Sequence, residues 1–147
     1  PMCRVQHDAM VSPPRPTERG AAADGAARLA LPRLARESKT VAAMLRLYCR
    51  DHHGAFPRDA NRLCAACAGL AGYARLRLAH CTYGIVKPTC AACPIHCYGR
   101  SQREAMRSVM RYAGPRMLWR HPLLALAHLL DGRRAPPARP NGKPPAR

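Results

Sequence analysis

Six of the chain's eight cysteines fall between residues 64 and 97, and four of them form two C-x2-C pairs, Cys64-Ala65-Ala66-Cys67 and Cys90-Ala91-Ala92-Cys93. That spacing lets two thiolates reach one ion while nearby backbone amides solvate the sulfurs, so a doubled pair points strongly to metal or cluster ligation. Buried structural thiols are the plain alternative, and they do not account for such density. A thioredoxin-like redox role is weaker, because neither pair sits in a βαβ pattern. The rest of the chain explains why a staple is useful. Residues 1–36 contain PPRP, GAAADGAA and scattered arginines with no periodic apolar face, and residues 135–147, APPARPNGKPPAR, are proline-rich and basic. Both read as disordered extensions. They leave a helical domain over residues 37–134 that buries limited apolar surface and gains from a metal.

Hydrophobic periodicity places the helices. Glu37 to His53 sets Val41, Met44, Leu45 and Tyr48 at i, i+3, i+4, i+7, with Cys49 and His52 continuing that face and Gly54 able to end it. Phe56-Pro57 belongs to a loop, after which Asp59 or Asn61 can cap a second helix containing Leu70, Tyr73, Ala74 and Leu78. Ser101-Gln102-Arg103-Glu104 has the form of a capping box, so a third helix is expected from Ser101, with Met106, Val109, Met110 and Ala113 as its apolar stripe and Gly114-Pro115 as its stop. Pro122 suits the first turn of a fourth helix running to about Leu130. No segment sustains period-two alternation. The expected fold is mostly α, a small bundle of about four helices carrying a Cys-rich metal-binding loop from Cys81 to Tyr98.

Geometry limits how the ligands divide. A helix over residues 68–80 spans roughly 20 Å at 1.5 Å per residue, so Cys64 and Cys67 at one end cannot share an ion with Cys81 at the other. Two sites follow. Cys81, Cys90, Cys93 and Cys97 make a four-thiolate set in a loop stiffened by Pro88 and Pro94, while Cys64 and Cys67 take Cys49 with His52 or His53 from the end of the first helix. A rival arrangement breaks the second helix and gathers the six close-spaced cysteines at one site. Such sets suit zinc in a closed tetrahedral shell and equally an iron–sulfur cluster. The C-x2-C-P-x2-C order around Cys90, Cys93 and Cys97 matches neither the radical S-adenosylmethionine pattern nor the bacterial ferredoxin run. Both cofactors stay open.

Charge and the remaining motifs narrow the function classes. The formal charge of +17 invites phosphate contacts, and Arg103, Arg107 and Arg111 form a basic i, i+4, i+8 stripe near Arg100. Abundant Ala, Arg and Pro also suggest a compositional bias that fills solvated positions with arginine, and few aromatics interleave to stack on bases. Nucleic acid is therefore the lesser partner reading beside a protein partner. No Ser-His-Asp elbow, Walker loop or G-x-G-x-x-G is present, and the eight acidic residues are scattered singly, which points away from an enzyme. His96 and His121 suit supporting or capping duty. The N-terminal PMCRVQHDAMVSPPRP has no apolar signal region, so a cytosolic setting with reduced thiols is expected. Pro122 to Leu130 falls far short of the roughly 20 apolar residues of a membrane span, and no membrane is expected as partner.

The stretches LYCRDHHG, LCAACAGLAGYARLRL, CTYGIVKPTCAACPIHCY and REAMRSVMRYAGPRMLWRHPLLALAHLLDGRR resemble the nitrous oxide-stimulated promoter family of small bacterial proteins. The resemblance runs from about Ser38 to Arg134, and CPIHCY followed by MRYAGPRML and HPLLA is its most specific part. Where family members often have Cys-Pro, this chain has Cys81-Thr82, which bears on loop rigidity rather than on ligands. The resemblance implies a link to nitrogen oxides or nitrosative stress and supplies no reaction. Nitric oxide attacks iron–sulfur and zinc-thiolate centres, so a cysteine cluster in that setting is expected to sense, buffer or tolerate such attack. The alternatives are a basic, metal-stabilised nucleic-acid-binding regulator and a purely structural zinc protein acting through a protein partner.

Overall fold

The computed structural model describes residues 24–54, 57, 59–90, 92–95 and 97–133. Four longer helices carry the architecture: α1 (Pro32–His52), α2 (Ala65–Ala79), α3 (Arg100–Arg120) and α4 (Pro122–Gly132), with a 3-10 turn at Gly84–Val86 between α2 and α3. Residues 24–30 form a further helical segment, and the described residues contain no strand. The mostly α expectation holds. Helix begins before residue 37, however: residues 24–30 and 32–36 are helical, with a bend at Leu31, where the sequence suggested a disordered extension. Pro32 explains the start of α1, since its fixed φ and missing N–H suit a first helical turn, and the fully buried Leu34 anchors it. The remaining parts of the two expected extensions, residues 1–23 and 134–147, lie outside the described residues.

α1 is the central element. Its buried face, including Val41, Met44, Leu45 and Cys49, meets Leu63, Cys67 and Ala74 on one side. On the other it meets Met106, Val109, Ala113 and Met117 of α3. Leu45 is 0 % exposed at the middle of this cluster. Leu45→Ala is expected to destabilise the protein by about 2–5 kcal/mol through lost transfer energy and the cavity left behind, read as a lowered midpoint in urea unfolding.

Three element boundaries differ from the sequence expectation. α2 is capped by Cys64 rather than by Asp59 or Asn61. Asp59 instead builds the preceding turn, its Oδ1 accepting from the amides of Asn61 and Leu63 at 2.9 Å each. α3 starts one residue before the expected capping box, with Gly99 as N-cap and no side-chain cap. Tertiary contacts fix this start: the Gly99 amide donates to Tyr73 Oη at 2.9 Å, and Tyr73 packs edge-on against Tyr98 at 5.3 Å. Finally, α3 does not stop at Gly114-Pro115 but runs through Pro115 to Arg120. An internal proline costs about 3 kcal/mol by removing a backbone donor and crowding the preceding turn. Ala113 and Met117, at 0 % and 3 % exposure, keep the helix docked on both sides of the proline. The Arg116 guanidinium also lies 3.8 Å from the Tyr112 ring and donates to the Tyr112 carbonyl at 2.7 Å. The actual stop is His121-Pro122, where α4 begins.

A buried ion network ties the Cys-rich loop and α4 to α1, and no periodicity announces it. Arg33 and Arg36 of α1 both reach Asp131 of α4, Arg36 at 3.0 Å. Lys87 from the loop pairs with Glu37 at 2.6 Å and donates to the Pro88 carbonyl at 3.2 Å, while Arg33 donates to the Lys87 carbonyl at 3.2 Å. Arg33, Glu37, Lys87 and Asp131 are each less than a tenth exposed.

Candidate metal centre

The end of α1 and the start of α2 converge on one point. Cys49 lies in the last turn of α1, His53 caps that helix by donating its amide to the Cys49 carbonyl at 2.9 Å, Cys64 is the N-cap of α2, and Cys67 sits in its first turn. The four ligand atoms lie within 4.8 Å of one another, with the three cysteines buried and His53 half-buried. His53 Nδ1 is 3.3 Å from Cys67 Sγ and 3.4 Å from Cys64 Sγ. For comparison, nitrogen and sulfur held tetrahedrally at the usual zinc distances lie about 3.5 Å apart.

The local structure favours negative sulfur here. The Cys64 amide donates to Cys49 Sγ at 3.2 Å, and Cys64 and Cys67 occupy the positive end of the α2 dipole. Burial works against ionisation of Cys64, but the Cys67 amide and the Cys49 thiol outweigh it and hold Cys64 below the usual thiol range. Cys67 is pushed the other way, by burial first and then by its neighbours Cys49 and Cys64. One thiolate is thus stabilised and the next is opposed, an imbalance that a divalent cation removes.

The sequence expectation that Cys49, Cys64 and Cys67 join a histidine from the end of α1 matches this convergence, but the histidine is His53 rather than His52. His52 turns toward α3, stacking on Tyr48 at 4.4 Å and meeting Tyr112 edge-on at 4.3 Å. The two histidines are one residue apart where α1 ends, so their side chains leave in different directions, and His53 is the one that lies in the convergent group.

The second expected set does not close in the same way. Among the described residues, Cys49, His53, Cys64 and Cys67 are the group whose ligand atoms converge within 4.8 Å. Cys90 Sγ instead receives the Lys87 ammonium at 3.3 Å and faces Glu37 at 3.7 Å. Burial pushes its thiol up to about 11 against the pull of Lys87. Cys93 donates to the Ile95 carbonyl at 3.3 Å. Cys97 is pushed up by burial first and then by Cys93 and Cys81. His96 lies outside the described residues. His121 sits at the junction of α3 and α4 without a side-chain cap hydrogen bond. Arg107 and Arg111 are exposed on α3, Arg103 is half-buried, and Arg100 approaches Glu104 at 3.6 Å, the arrangement of a solvated helix face.

Residues 32–141 match the family described as nitrous oxide-stimulated promoter. The chain is also 42 % identical over 110 residues to a protein of Escherichia coli (strain K12) titled uncharacterized protein YgbA, covering 74 % of this chain and 88 % of that protein. No solved structure matches it.

Proposed function

The chain belongs to the nitrous oxide-stimulated promoter family, and from that premise we propose that it is a zinc-thiolate protein in which Cys49, His53, Cys64 and Cys67 hold one ion and respond to nitrogen oxides. The observation that carries this reading is the convergence of four donors within 4.8 Å. A single tetrahedral ion needs its ligands aimed at one point, whereas a cluster spreads its thiolates over several irons. The donor spacing therefore favours zinc over an iron–sulfur cluster.

The family's link to nitrogen oxides gives the site a chemical role. Zinc held by Cys49, His53, Cys64 and Cys67 would keep these cysteines as thiolates open to nitrosation, and a sulfur nitrosated by dinitrogen trioxide, with nitrite as the leaving group, would no longer carry the charge that holds the ion. Loss of the ion would release the end of α1 from the start of α2. This is binding and response rather than catalysis, and it fits a reducing, cytoplasmic setting in which the thiols remain available. Cys81, Cys90, Cys93 and Cys97 remain the candidates for a second ion, for which Cys90 would exchange the Lys87 ammonium for the metal.

Metal and acid-labile sulfide analysis of anaerobically purified protein, with single histidine variants, tests the reading. Zinc without sulfide is expected. His52→Ala should keep the ion, while His53→Ala should weaken binding by at least about tenfold, the loss already typical of removing an outer partner of a ligand. Iron with sulfide, or full zinc retention in His53→Ala, would overturn it.

A further inference from the structure

α4 turns most of its large apolar side chains outward, with Leu124 packed against the core. Ala125 and Asp131, at 8 % and 4 % exposure, face the protein, whereas Leu123, Leu126, Leu129 and Leu130 are 81 %, 55 %, 57 % and 52 % exposed. At 3.6 residues per turn these four leucines form one continuous stripe. The end of α3, a few residues before these leucines, exposes Leu118 at 50 % and Trp119 at 88 %. A helix that hides alanine and shows leucine has its main partner outside the fold.

Charge identifies the partner's chemistry. Arg120, next to Trp119, and Arg133, at the end of α4, are exposed. From Met106 to the end of the chain the only acid is Asp131, which is buried and paired to Arg33 and Arg36. The sequence beyond α4 adds Arg134, Arg139, Lys143 and Arg147. Residues 134–147 contain no large apolar residue. A second copy of the chain would bring two arginine rims together, which like-charge repulsion disfavours.

We propose that this face docks on an anionic phospholipid bilayer, with Trp119, Leu123 and Leu126 entering the boundary between headgroups and acyl chains while the arginines and basic tail meet lipid phosphates. Neither signal suffices alone, and apolar insertion joined to a polybasic segment is the combination that gives stable surface attachment. The absence of an expected membrane span is compatible with this, because a helix lying on a surface needs one apolar face rather than a long apolar run.

The test uses the full chain with vesicles of phosphatidylcholine alone or an equimolar mixture with phosphatidylglycerol. Trp119 is the only tryptophan, so its emission reports the site directly. Cosedimentation with the anionic vesicles, weakening as salt rises, and a blue shift of Trp119 are expected. Arg120→Gln and Arg133→Gln should each lower partitioning about fivefold. Leu123→Ser with Leu126→Ser should abolish it while circular dichroism and metal content stay unchanged. Equal binding to neutral vesicles, no binding, or anionic binding indifferent to the leucine changes would overturn the proposal. A Trp119 already shielded without vesicles would also overturn it: at dimer mass the face belongs to a second copy, and in a monomer exposed by deleting residues 1–23 it belongs to the chain's own N-terminal segment.

Discussion

Stripping the metal with a strong chelator should abolish the cooperative thermal transition of this protein, and returning zinc should restore it. Structural zinc contributes about 10–16 kcal/mol in small zinc-nucleated folds, while a domain's whole net stability is about 5–15 kcal/mol. The proposed ion joins α1 to α2 at the edge of the central core, where Cys49, Cys64 and Cys67 are themselves core residues. Cys67→Ser should behave like the chelated protein. The pH dependence follows from the same chemistry. Without metal, burial and the neighbouring cysteines keep the Cys67 thiol protonated at neutral pH, so loading the ion must expel that proton. Metal-derived stability is therefore present at neutral and higher pH and is lost as acid reprotonates the ligands. An apoprotein that melts at the same temperature as the loaded one would contradict this.

Asp131→Ala should cost about 3–5 kcal/mol in urea unfolding, because it removes the hydrogen-bonded carboxylate of the buried Arg33 guanidinium and leaves it only the longer contact to Glu37 at 3.9 Å. Arg36→Ala provides the contrast. The Arg36 side chain is 37 % exposed and shares the same carboxylate, so its loss should cost about 1 kcal/mol or less. Comparable losses from the two changes would mean that Asp131 acts as an ordinary surface partner. The prediction is independent of the metal, and the measurement belongs on loaded protein so that the two effects stay separate.

Local pattern made much of the helical framework legible. The stripe Val41, Met44, Leu45 and Tyr48 and the stripe Met106, Val109, Met110 and Ala113 both face the core or its edge. Pro122 opens α4 as its fixed φ suggests. The misses occurred where a distant contact decides a local choice. Ser101 has the chemistry of a cap, yet Tyr73 holds Gly99 at the start of α3. Pro115 has the chemistry of a stop, yet Ala113 and Met117 keep the helix packed through it. The candidate site shows the same division. The Cys64-Cys67 pair and its partner Cys49 were readable from spacing, but the choice between His52 and His53 depends on the aromatic pocket formed with Tyr112. The Glu37–Lys87 pair was not readable at all, since its members are 50 residues apart and neither interrupts a pattern.

The two sets of ties that hold α1 differ greatly in the length of chain they close. Those at the cysteine cluster join residues 14 and 15 positions apart, whereas Arg33 and Asp131 are 98 apart. Short loops close with little loss of chain entropy and close early, while long-range pairs wait for the intervening segments to assemble. The order of assembly is then built into the sequence: a hairpin of α1 and α2 forms as the nucleus, and the carboxylate near the end of α4 locks in last. Ribosomal synthesis runs in the same direction, so the nucleus can form while the residue that completes the domain is still to be added.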